Sequence, residues 1–169
     1  MGDYNRWMNE SLYEAASTLP PAVLAEDRGA FFCSLLGTFN HLLVADTIWL
    51  QRFAHHPGRF SALEPLLNKP TMSTLDEVLY EDFQQLRQAR QGMDEMILAF
   101  VKEAKEADYE QLLAYRNTKD IAFQKPFGSL MLHFFNHQTH HRGQVTVLLN
   151  QLGVDCGVTD LLVRIGEES

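Results

Sequence analysis

Asn136-His137-Gln138-Thr139-His140-His141-Arg142-Gly143-Gln144 lies inside a longer apolar-periodic run, Phe127 to Leu152, that reads as one helix. His137 and His141 are four residues apart and therefore stand one above the other on a single helical face. On a wheel of about 100° per residue, Phe127, Leu130, Phe134, Val145, Leu148 and Leu152 fall in one arc, and both histidines fall inside it. Arg142 and Thr146 are expected on the opposite side. Two imidazoles thus face the core, where a polar group needs a partner. A metal ion would satisfy both, and so would hydrogen bonds to neighbouring core groups; the bare spacing does not choose. His133 and His140 lie nearer the edge of the arc, as flanking or solvated groups. The zinc-protease pattern HExxH is not met, because Gln138 fills the slot of the general-base glutamate.

The remaining chain reads as helices around this one. Residues 3–18 form a first helix, with Asp3 as its cap and Pro20-Pro21 as its stop, and 22–27 a short helical turn. A second helix, Gly29 to Ala54, is apolar around more than half its circumference, which implies burial on two sides. It carries His41 at the edge of one apolar stripe as a third candidate ligand. Asp46 falls within the same apolar arc and needs a donor, for which Tyr4, Asn5 or Trp7 of the first helix are candidates; its other possible role is to orient a ligating imidazole. His55 and His56 read as solvated loop residues, and 57–72 as a connection that crosses the bundle. Ser73 or Thr74 is expected to cap a third helix that buries Leu75, Leu79, Leu86, Met93, Ile97 and Phe100 and exposes Arg87 and Arg90. Leu113–Arg116 and Ile121–Gln124, on either side of Asn117–Asp120, read as a β-hairpin. Pro126 then opens the last helix, Gly153 closes it, and the tail 154–169 is a docked loop or a short turn.

The 169 residues are one domain's worth of chain, with 46% hydrophobic and 21% charged residues. A net charge of −8 without a basic tract argues against a nucleic-acid partner. The two cysteines, Cys33 and Cys156, form no CxxC pattern, and Cys33 is read as a small core residue of the second helix. Neither a leader nor a membrane span is visible, so the cytoplasm is the expected location.

Asn40-His41-Leu42-Leu43 with Asp46 and Trp49, followed by the Asn136–Gln144 string and preceded by Tyr4-Asn5-Arg6-Trp7, resembles the DinB (damage-inducible) family over nearly the whole chain. The resemblance implies an all-α fold, a four-helix bundle in up-up-down-down order, here with a small β-hairpin before the last helix, and association as a homodimer. It also implies a divalent metal on one histidine of the second helix and two of the last, that is His41, His137 and His141. Asp46, His133, His140 and Gln144 are then candidates to support the ligands, and Asn40 or Asp46 to set the imidazole tautomers. Three neutral imidazoles suit zinc, nickel, copper or iron and do not distinguish them; zinc or nickel is the expected ion. Relatives in the wider superfamily, bacillithiol transferases and a mycothiol-dependent maleylpyruvate isomerase, imply activation of a low-molecular-weight thiol against a small electrophile. A metal-dependent hydrolase and a non-catalytic metal-binding stress protein are the other two classes.

Overall fold

A computed structural model describes residues 1–72 and 74–166. Its helices are α1 (Gly2–Ala16), α2 (Pro21–Ala25), α3 (Leu35–Phe53), α4 (Phe83–Glu103), α5 (Glu106–Tyr109) and α6 (Phe127–Gln151), with strands β1 (Leu112–Arg116) and β2 (Ala122–Pro126) before α6. The fold is all-α apart from that hairpin. The four long helices form a closed ring of contacts, in which α1 and α3 each pack against both α4 and α6.

Helix directions follow from which residues meet. Early α1 meets late α4, since Asn9 bonds Asp94 while Glu14 pairs with Arg87. Along α3 and α4 the numbering rises together, from Phe39 against Phe83 to Phe53 against Phe100. Along α3 and α6 it runs oppositely, with His41 beside His141 and Phe53 beside Phe127. The order is therefore up, down, down, up, and differs in this detail from the up-up-down-down order. Parallel α3 and α4 require a connection that returns along the bundle, which residues 54–82 supply.

Apolar packing is concentrated at the two ends. Tyr13, Leu35, Phe39, Phe83, Leu86, Val145 and Leu149 form one cluster. Phe53, Phe60, Ile97, Phe100, Phe127 and Phe134 form the other. Between them lies a polar layer, Asn5, Asn9, His41, Asp46, Arg90, Asp94, Gln138, His141 and Arg142, every member buried.

Several local expectations are corrected. Helix α3 starts at Leu35, not Gly29, because Ser34 caps it, its Oγ accepting from the Gly37 N–H at 3.0 Å. Cys33 before it has φ +62° and is exposed, and Phe31 is 85% exposed, so neither is core. Helix α4 starts at Phe83, where Asp82 Oδ1 accepts from the Gln85 N–H. Thr74 and Leu75 lie in the preceding loop, with Leu75 exposed; the cap expected at Ser73 lies outside the described residues. Asp3 sits within the first turn of α1 and does not cap it, since Met1 holds the cap position.

The hairpin is antiparallel, with Leu113 opposite Lys125 and Tyr115 opposite Phe123. Asn117 Oδ1 accepts from the Lys119 and Ile121 N–H groups at the turn. Gly153, at φ +74°, ends α6 as expected. The tail docks through the Tyr4 hydroxyl, which donates to the Thr159 carbonyl, and ends in a 3₁₀ turn, Leu161–Arg164.

Candidate metal centre

Helix α3 supplies His41, and α6 supplies His137 and His141, to one point in the polar layer. One nitrogen from each ring lies within 4.8 Å of the others. The Nε2 atoms of His41 and His141 are 3.2 Å apart, and those of His141 and His137 3.1 Å. Phe32 lies flat on His41 at 3.7 Å between centroids and edge-on to His141. Its backbone reaches this place because residue 37 is glycine: a Cβ there would stand 2.1 Å from the Phe32 carbonyl oxygen.

The outer nitrogens decide where the protons are. His41 Nδ1 is 2.7 Å from the Leu75 carbonyl, which can only accept, so Nδ1 carries the hydrogen. His141 Nδ1 is 2.8 Å from Gln144 Oε1 and likewise donates, while the same amide turns its NH₂ toward His140 Nε2 at 3.3 Å. In the neutral rings both facing Nε2 atoms therefore present lone pairs. His137 can place one proton in the cluster. At least one lone pair is then left without a donor.

Added protons do not fill the gap easily. Burial, followed by the His141 charge, lowers the His41 pKa to about 4 in spite of the Leu75 bond. Burial and the neighbouring histidines, His141 first, lower that of His137 to about 3. Burial lowers His141 as well. Three neutral imidazole nitrogens aimed at one point are a donor set that fits a divalent cation, and the cluster can hold a metal ion.

The flanking residues divide. Gln144 touches His141, and the exposed His140 touches Gln144. His133, also exposed, packs edge-on to Trp49, with its centroid 5.9 Å from that of His137. Asp46 is not bonded to an imidazole or to any first-helix donor: its carboxylate accepts from Arg90 at 2.5 Å. Asn40 sets no imidazole tautomer, because its oxygen accepts from the Leu79 and Tyr80 N–H groups and its NH₂ donates to the Leu36 and Tyr80 carbonyls.

Three further side chains are more buried than their sequence surroundings suggest. Arg90 is 2% exposed and lies between Asp46 and Asp94, with 2.9 Å to the latter. Burial works to lower its pKa, but the two carboxylates more than reverse this and hold it charged. Arg142 is also 2% exposed, not solvated, and donates to Asn5 and to Gln138 Oε1. His56 is 1% exposed, between Phe60 and Phe127, and its Nδ1 accepts from the Gly58 N–H. Asp46 was the available signal for Arg90, since a carboxylate on an apolar face requires a buried cation from another helix.

Against known families, residues 1–167 match the DinB family. The protein DinB of Bacillus subtilis (strain 168) is 23% identical over 159 residues, 94% of this chain and 87% of that protein. The uncharacterized protein YrdA of the same organism is 53% identical over 34 residues, 20% of either chain. No solved structure matches. Among the described residues, no helix is long and apolar enough to cross a membrane.

Proposed function

This chain belongs to the DinB family, and from that premise we propose that it binds a divalent metal, zinc or nickel, through His41, His137 and His141 and transfers a low-molecular-weight thiol to a small electrophile. The observation that carries the reading is the mismatch of protons and lone pairs among the three Nε2 atoms. When bound, such an ion lowers the pKa of a thiol or water beside it, so that the nucleophilic form exists near neutral pH. Three protein ligands leave room for that fourth group.

The chain's own residues do the rest. Leu75 and Gln144 hold the His41 and His141 rings in the tautomer that leaves Nε2 free. Phe32 covers one side of the cluster and excludes water from it. A hydrolase of the HExxH kind uses a carboxylate base; here Gln138 fills that slot, and the other candidate from sequence, Asp46, is committed to Arg90. Thiol chemistry needs no such base. The same reading assigns the protein to the cytoplasm as a homodimer that acts on a small molecule.

Elemental analysis of protein purified without a histidine tag, beside His41→Ala and His137→Ala variants, tests the metal. About one ion per chain is expected in the parent and none in either variant. A panel of electrophiles assayed with and without added cysteine then tests the chemistry. Turnover that never depends on the thiol overturns the transferase.

A further inference from the structure

About three helical turns beyond His41 on α3, a second site opens between this helix, the β1–β2 hairpin and residues 71–72. It is a cavity of about 480 Å³, lined among others by Ile48, Gln51, Arg52, Met72, Tyr115 and Arg116. That volume lies in the range of small-molecule sites, roughly 300–1,000 Å³.

Its polar groups are unevenly matched. Arg116 has a partner, because it pairs with Asp120 at 3.2 Å. Arg52 does not: half-buried, it lies over the Trp49 ring at 4.6 Å and the Tyr115 ring at 5.1 Å, and among the described residues no carboxylate faces it. Two ring faces and the last turn of α3 hold the cation in place. They leave the edge of its planar fork, the part that recognises a carboxylate with two parallel bonds, without an acceptor. Gln51 beside it is 5% exposed, and its NH₂ donates to the Pro70 carbonyl at 3.0 Å. Its Oε1 has no hydrogen-bond partner among the described residues. A fixed cation without a counter-charge therefore stands on the wall of the cavity, beside a buried amide already tied to the Pro70 carbonyl. On a chain of net charge −8, this lining is net cationic, with Arg52 and Arg116 against Asp120.

We propose that this cavity binds a small organic carboxylate, with the acid on Arg52 and an apolar body against Ile48 and Met72. The assignment stands on these residues and not on an ion at the histidines.

Calorimetric titration of the full chain, metal-free and zinc-loaded, with 4-hydroxyphenylacetate, its neutral amide and inorganic phosphate tests it. The acid is expected to bind both forms, the amide at least tenfold more weakly and phosphate more weakly than the acid. Arg52→Gln is expected to weaken the acid at least tenfold and leave the amide unchanged. His137→Ala should bind the acid like the parent, so that failure of the metal reading and failure of this one are separable. Equal binding of acid and amide, preference for phosphate, unchanged affinity in Arg52→Gln, or no binding of any probe overturns the proposal.

Discussion

The polar layer of this bundle contains two clusters that share the same helices and are built on opposite terms. In the arginine–aspartate cluster each buried charge meets its opposite: Arg90 lies between Asp46 and Asp94, Asn9 donates to Asp94, and Arg142 donates to Asn5 and Gln138. Two cations and two carboxylates cancel, and the bonds run from α1 to α4, from α1 to α6 and from α3 to α4. In the histidine cluster the count does not close, since lone pairs face one another with too few protons between them. Burial alone therefore does not mark a functional site. A balanced buried network ties helices together, whereas an unbalanced one has a place for something the chain does not supply.

The sharpest way to break this comparison is Arg90→Met, which leaves Asp46 and Asp94 buried without their cation. A loss of about 3–5 kcal/mol is expected, read by urea denaturation and equal with and without zinc. Equal stability of variant and parent would show that the balance is not what holds the layer.

His137→Ala should behave in the reverse sense. At zinc one hundred times its dissociation constant the parent is expected to gain about 2.7 kcal/mol, seen as a rise in Tm, and the variant to gain nothing. Without metal the variant should be at least as stable as the parent, because one ring of a crowded set has gone. A smaller change is expected for Gln144→Ala, which frees the His141 tautomer: metal affinity falls about 10–100-fold in competition with a chromogenic chelator, while metal-free stability moves little.

Smallest is the effect of pH on the metal-free protein. The folded His41 and His137 pKa values, about 4 and about 3, lie below the ordinary 6.5. The unfolded chain therefore takes up protons first as pH falls. Stability from these groups is complete above about pH 6.5 and is lost progressively as pH drops toward 4. Tm measured across that window should fall further for the parent than for His137→Ala.

Much of this was legible in the sequence, but unevenly. Helical spacing put His137 and His141 on one inward face, and the turn residues Asn117–Asp120 marked the hairpin. Apolar spacing misled where a loop imitates a helix. Phe31, Phe32 and Cys33 continue the α3 pattern backwards, yet Ser34 ends it, and Phe32 serves as a cover over His41. Leu75 and Leu79 extend α4 backwards in the same way, yet their backbones are held by His41 and Asn40. Arg90 and Arg142 were misplaced for a different reason. A helical wheel registers apolar neighbours along one helix and is blind to acids and amides arriving from the others.

The bond from His41 Nδ1 to the Leu75 carbonyl, with the three made by Asn40 to Leu79 and Tyr80, moors the run into α4 to a single turn of α3. The imidazole is thus at once a wall of the cluster and the fastening of a long non-helical strap. Whatever stiffens that ring also stiffens residues 75–80, so amide exchange in this strap is a remote gauge of events at the heart of the bundle.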